Sequence, residues 1–245
     1  MKTFISVCII SFFSFFGACQ APVTRVTPEA QNDTIYIFGK SSGDGTGKYY
    51  LGREIAVVMG AAGASWLERD ERQQEENTKL AIGKMNLSHN SVVADIGAGT
   101  GYYTFAISKK VPNGKVYAVD IQDEMIRYLN EKKNTGNVKN VEVIKGTEKS
   151  PILPDNSIDL TIMVDVYHEL EYPHEMLQEI KKALKPEGKV LLLEYRAEDE
   201  SIPIKPHHKM SVAQVNREME ANGFELAYAG EFLPIQHFLL YRKKN

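Results

Sequence analysis

Residues 92–101, VVADIGAGTG, set Gly97, Gly99 and Gly101 directly after an apolar run. Glycines at the tip of a strand let the backbone turn sharply and approach a ligand at distances a side chain forbids. Nineteen residues after Gly101 stands Asp120, closing a second apolar run, VYAVD. A carboxylate there can accept both hydroxyls of a ribose, so the spacing fits a nucleoside held between adjacent strand ends. A dinucleotide fold wants G-x-G-x-x-G, whose third glycine lets the helix close on the strand beneath a pyrophosphate. This chain reads G-x-G-x-G with Tyr102 where that glycine would fall, which argues against a nicotinamide cofactor.

A second group, Asp165-Val166-Tyr167-His168-Glu169, follows another apolar run. At the carboxyl end of a parallel strand it would border the ligand cleft. His168 is the candidate base, because an imidazole titrates near working pH, with Asp165 and Tyr167 beside it. The alternative is a histidine that only hydrogen-bonds its own loop. Asp165, His168 and the pair His207-His208 could also ligate a metal. They come from distant segments with no tight ligand spacing, and no metal is expected. Tyr102, Tyr103, Tyr167, Tyr172 and Tyr195 cluster near strand ends; they either form an aromatic wall around a flat acceptor or a cation, or simply pack with a wet hydroxyl.

The elements that must position these groups alternate. Strands are predicted at 91–96, 115–120, 140–145, 158–165 and 189–195, rich in Val, Ile and Leu as doubly buried parallel strands are. Helices are predicted between them at 102–110, 123–133 and 174–184. The fold class expected is α/β, a doubly wound, mostly parallel sheet with helices on both faces. Residues 211–222 open with Ser211 and Gln214 in capping-box spacing and end at Gly223. Two last strands, 224–232 and 236–242, are joined by three residues, too few for a parallel crossover, so they pair antiparallel or do not neighbour each other.

Upstream, GKSSGDGTGK at 39–48 holds four glycines. A phosphate-binding loop fails there, since Ser42 and Tyr49 occupy the positions that need Gly and Ser/Thr around Gly47-Lys48, and a flexible loop or lid is expected. Residues 65–85 read as one helix with a charged face, its Trp66 either solvated with that face or lining a pocket.

The chain has 245 residues, 29 basic against 32 acidic, a net charge of -3, 43% hydrophobic and 25% charged. These values exclude a largely disordered or polytopic membrane chain and leave room for one generous core. A charge so near neutral gives no footprint for nucleic acid, whose phosphates demand a basic face.

Residues 1–18 have the layout of a secretory signal peptide: Lys2, an uncharged apolar run over 4–16, then Gly17 and Ala18. That run is short for a membrane span of about 20 residues. Phe16-Gly17-Ala18-Cys19 resembles the lipobox of bacterial lipoproteins, which implies a lipidated Cys19 and loss of Cys8 with the signal. Several acyl chains would anchor the protein stably, at about 0.8 kcal/mol per buried methylene. Residues 19–34 then form a tether, 35–90 an N-terminal loop and helical cap, and 91–245 the catalytic domain. The expected location is the cell envelope, facing the periplasm, with oligomeric state open.

ADIGAGTGYYT followed by AVDIQDEM, with GTEKSPILPDNSIDLTIMVDVYHEL and ALKPEGKVLLLEY in that order, resembles the class I S-adenosylmethionine-dependent methyltransferases over residues 91–242. The resemblance implies a Rossmann-like, seven-stranded sheet ending in an antiparallel hairpin, with S-adenosyl-L-methionine as cofactor. It places Gly97, Ala98, Gly99 and Gly101 beneath the methionine part, Asp95 ordering the loop and facing the ammonium group directly or through water, Asp120 on the ribose and Ile121 on the adenine. Where the family commonly has Gly-Asp-Ala, this chain has Gly146-Thr147-Glu148, and Glu148 is the substitute for the acid near the adenine amine. The upstream SWLERDERQQEE and downstream YRAEDESIPIKPHHKMS are similar to an exported bacterial subgroup. The expected activity is methyl transfer to a small-molecule or lipid-like acceptor, with a non-catalytic nucleoside-binding module as the alternative.

Overall fold

A computed structural model describes residues 35–244, so the signal, the tether and Cys19 lie outside the described residues. The apolar runs become strands β4 (Val92–Ile96), β5 (Lys115–Asp120), β6 (Val141–Lys145), β7 (Ile158–Val164) and β8 (Leu184–Tyr195), and the chain closes with β9 (Phe224–Gly230) and β10 (Gln236–Lys243), all preceded by a smaller sheet of β1 (Tyr36–Phe38), β2 (Gly45–Tyr50) and β3 (Arg53–Ala56). The seven-stranded sheet runs β6-β5-β4-β7-β8-β10-β9. Its first five strands are parallel, and β10 is antiparallel to both β8 and β9. The short last connection therefore does join an antiparallel pair.

Side chains alternate across the sheet, which explains why the runs are apolar without a break. Ala94, Ile96, Val119, Met163, Val190 and Leu192 face one layer, formed by α6 (Pro173–Ala183) and α7 (Val212–Ala221). Val93, Val116, Ala118, Ile162, Leu191 and Leu193 face the other, formed by α3 (Thr78–Lys84), α4 (Tyr102–Ser108) and α5 (Asp123–Thr135). α6 starts with Pro173 in its first turn, and the Ser211 hydroxyl caps α7 by accepting from Gln214 N at 3.2 Å, as the sequence spacing predicts.

Two expectations fail. Residues 39–48 are not merely a loop, because Gly45–Lys48 lie in β2. The glycines make room for Glu54: a Cβ on Gly45 would stand 2.2 Å from the Glu54 carboxyl carbon, whose Oε1 accepts from Ser42 N (3.0 Å) and Gly47 N (2.8 Å). The single helix expected at 65–85 is three short ones, α1 (Ala64–Leu67), α2 (Arg72–Glu76) and α3. The last break is Asn77, at φ 53° and ψ 51°, whose side chain accepts from Leu80 N. Two buried ion pairs drive the turning, since Arg69 Nη2 and Arg72 Nε both reach Glu76 at 2.8 Å.

Hydrogen bonds from the Ser42 side chain, then from the backbone N–H groups of Ser42 and Gly47 and from His207, hold the Glu54 carboxyl down at about 2 from an ordinary 4.5. A depressed carboxyl contributes stability above its ordinary value and loses it as pH falls toward the folded one. Melting curves of the native protein and Glu54→Gln should therefore differ at neutral pH and converge as pH falls from 4.5 toward 2; a gap that stays constant contradicts this reading of Glu54.

Candidate active site

The turn after β4 is stitched to the end of β5: Gly97 N and Ala98 N both donate to Val119 O at 2.9 Å. Gly97 sits at φ +70°, and a Cβ there would come 2.3 Å from Val166 Cγ2, so the residue has to be glycine. Gly99, at φ +56°, donates its N–H to Asp120 Oδ2 at 2.9 Å. The second oxygen, Oδ1, accepts from Gln122 N at 2.9 Å. Burial pushes the Asp120 carboxyl up, and these N–H groups pull it down. Each oxygen accepts one backbone donor and has lone-pair capacity for another.

Gly97, Gly99, Asp120 and Ile121 line a cavity of about 750 Å3, together with Thr147 and Glu148. Ile121 is 39% exposed there although it is apolar. Ala98 and Gly101 do not reach the wall; Ala98 is buried and Gly101 caps α4 at φ 84°. Asp95 is buried off the wall and accepts from Thr104 Oγ1 at 2.6 Å, tying β4 to α4. Burial lifts its carboxyl to about 6 against that hydrogen bond. Its place fits the ordering of the loop and does not fit direct contact with a ligand's ammonium group.

Asp165, His168, Glu169 and His208 line the same cavity. Asp165 has φ 52°, and its Oδ2 accepts from Gln236 Nε2 at 2.7 Å while Oδ1 is buried without a partner. Burial, then the carboxylates of Glu76 and Glu194, push Asp165 well above the carboxylate range. His168 is 1% exposed, with Nδ1 2.6 Å from Glu194 Oε2 and Nε2 3.2 Å from His208 Nδ1. Burial alone would depress the imidazolium, but Glu194 leads the opposing groups and raises it to about 10. The expectation of a free base titrating near neutrality is corrected: His168 is held by its carboxylate neighbour.

Tyr167 is corrected as well. It is fully buried in the core under α6, and its side chain does not line the cavity. Among the tyrosines named from sequence, only Tyr195 does so among the described residues, and its hydroxyl donates to Glu76 Oε1 at 3.0 Å. The expected aromatic wall does not form there. Sequence reasoning missed Glu194, which orients His168, and the Arg69-Arg72-Glu76 group on the wall; the four-residue step from Arg72 to Glu76 was the only available signal.

The methyltransferase domain family matches residues 87–236, most of the chain. The chain belongs to that family. The solved structure of a SAM-dependent methyltransferase from Aquifex aeolicus superposes with a TM-score of 0.71 at 29% identity, covering 75% of this chain and 98% of that one. Ubiquinone/menaquinone biosynthesis C-methyltransferase UbiE of Pasteurella multocida is 34% identical over 42% of this chain and 39% of its own length. The same enzyme of Bordetella avium is 31% identical over 47% and 45%. The chain thus spans less than half the length of these curated relatives.

S-adenosyl-L-methionine is the methyl donor of this class, and this methyltransferase has residues that fit it. Gly97 and Gly99 present backbone where a Cβ would intrude, and Asp120 has acceptor capacity toward a sugar. A bound donor would supply an electrophilic methyl group on sulfur, and these residues would bind it, align it and exclude water. Hydrogen bonds to a charged partner are worth about 1.5–3 kcal/mol each. Asp120→Asn should therefore weaken S-adenosylmethionine binding by about 10- to 100-fold in calorimetry with the far-ultraviolet spectrum unchanged; equal affinity contradicts the ribose assignment.

Proposed function

We propose that this methyltransferase transfers the methyl group of S-adenosylmethionine to a small, largely apolar or lipid-like acceptor. The observation that carries the reading is the exposed apolar lining of the cavity: Val57, Val58 and Trp66 stand 49%, 39% and 43% exposed on the wall, and Leu67 beside Trp66 lies against Gly99 of the glycine turn. Exposed apolar groups gathered inside one cavity lower their free energy by covering an apolar ligand. His168, Glu169 and His208 on the wall can orient the atom that receives the methyl group. Transfer from a sulfonium is an in-line displacement, so alignment and dryness supply most of the rate. The relatives' activity, ubiquinone/menaquinone biosynthesis C-methyltransferase, makes quinone-type aromatic acceptors the first to try.

Export and anchoring belong to the same proposal. The lipobox-like FGAC at 16–19 supports a lipidated Cys19 and an envelope location. No helix among the described residues is long and apolar enough to cross a membrane. In the expressing bacterium, Cys19→Ala should move the protein from the membrane fraction to the soluble one; a variant that stays with the membrane contradicts the anchor.

The transfer itself is tested by S-adenosylhomocysteine release across phenols, quinols and lipids. Release should occur with an apolar acceptor, and Trp66→Ala should raise the KM for it about tenfold, the effect of about 1.4 kcal/mol, while donor affinity holds. Donor binding without release on any member of the panel contradicts transfer and favours a non-catalytic nucleoside-binding module.

A further inference from the structure

His168, Glu169 and His208 bring three donor atoms together at the cavity wall. His168 Nε2 lies 3.2 Å from His208 Nδ1, His208 Nδ1 lies 3.2 Å from Glu169 Oε1, and His168 Nε2 lies 3.7 Å from Glu169 Oε1. A circle through those three atoms has a radius of about 2 Å, against metal–imidazole and metal–carboxylate bonds of about 2.0–2.2 Å. An ion within bonding range of all three would sit just off their plane, leaving a coordination position open.

We propose that His168 Nε2, His208 Nδ1 and Glu169 Oε1 form a site for a divalent transition-metal ion of the zinc class, its open position facing the acceptor half of the cavity. The surroundings support it independently of the triangle. Glu194 Oε2, 2.6 Å from His168 Nδ1, occupies the outer place that a carboxylate takes behind a metal-bound imidazole, where it fixes the ring and directs Nε2 inward. Glu194 is itself set by Tyr167 N, which donates to its Oε1 at 2.8 Å. Glu169 Oε1 accepts from Met59 N at 3.1 Å, and Arg53 Nη1 donates to His168 O at 2.9 Å, so the backbone at the site is held in place. Two imidazoles with one carboxylate suit zinc, iron or nickel far better than magnesium or calcium. Glu169 and Glu194 together supply two negative charges against a doubly charged ion. His168 and His208 are among the possible ligands the sequence offers, with Asp165 and His207; Glu169 is not, and His208 comes from a separate turn at Pro206–His208 that only the fold brings to His168.

An open position here would take an acceptor oxygen or sulfur and withdraw charge from it; that role rests on the transferase reading, whereas the binding of the ion does not. The full chain, stripped with a chelator, is titrated with zinc chloride by calorimetry and with cobalt(II) by visible absorption. One ion per chain is expected. His208→Ala and Glu169→Gln should each lower affinity at least about tenfold, Glu194→Gln about 10- to 100-fold, and His207→Ala, whose ring meets Ser42 and Glu54, should leave it unchanged. No stoichiometric binding by the native chain, or equal binding by His208→Ala, overturns the site. S-adenosylmethionine affinity is measured on the same samples. Donor binding without metal binding overturns only the metal site; metal binding without donor binding overturns the transferase reading and leaves the metal site standing.

Discussion

Two backbone N–H groups converge on one carboxylate at the end of β5. Gly99 and Gln122 each donate to a different oxygen of Asp120 at 2.9 Å, so the glycine turn and the start of α5 are both referenced to one strand end. Replacing the carboxylate by an apolar group would leave two donors to find water, at about 1–3 kcal/mol for each that stayed buried. The same close approach excludes a side chain at Gly97, where a Cβ would come 2.3 Å from Val166 Cγ2, so the ends of β4, β5 and β7 meet at the cavity, which Gly97, Val119 and Val166 all line.

Other parts of the cavity wall depend on buried charge. Arg53 makes a two-pronged pair with Glu218 of α7, at 2.7 and 2.9 Å, and the same guanidinium holds the carbonyl of His168. One side chain on β3 therefore fastens the small N-terminal sheet to the main domain and shapes the turn that carries His168. Arg69 and Arg72 do similar work on Glu76, which also receives Tyr195 from β8. Buried pairs like these add little net stability, yet breaking one costs about 3–5 kcal/mol because a charge is left alone. Segments far apart in the chain are thereby held together around the cavity.

That difference explains what could be read from the sequence. The strands were legible to within one or two residues at most boundaries because a doubly buried strand is marked by its own composition: 115–120 and β5 coincide. β8 starts five residues before the expected Lys189, since Leu184 pairs with Ile158 where Lys-Pro-Glu-Gly reads only as a helix stop. Gly97, Gly99, Asp120 and Ile121 reach the cavity as expected, because the turn and the strand end that hold them are local. Tyr167 and His168 share a tight turn but point to different places, one into the core and one to the wall, and no pattern of neighbours in the chain distinguishes them. The fit of Glu169 with His208 comes from a long-range contact, whereas the break at Asn77 and the pairing of residues 45–48 are local, Asn77 accepting from Leu80 N in a left-handed conformation and Gly45 pairing with Ala56, and composition marks neither.

The central claim is that the end of the cavity at Asp120 holds the nucleoside and the end at His168 and Trp66 holds the acceptor. The measurement that tests it most directly is a crystal structure of the chain with S-adenosylhomocysteine. The account predicts the ribose hydroxyls on Asp120, the adenine against Ile121 and the sulfur directed toward the apolar half of the cavity. A nucleoside lying elsewhere, or an Asp120 carboxylate turned away from the sugar, would contradict it.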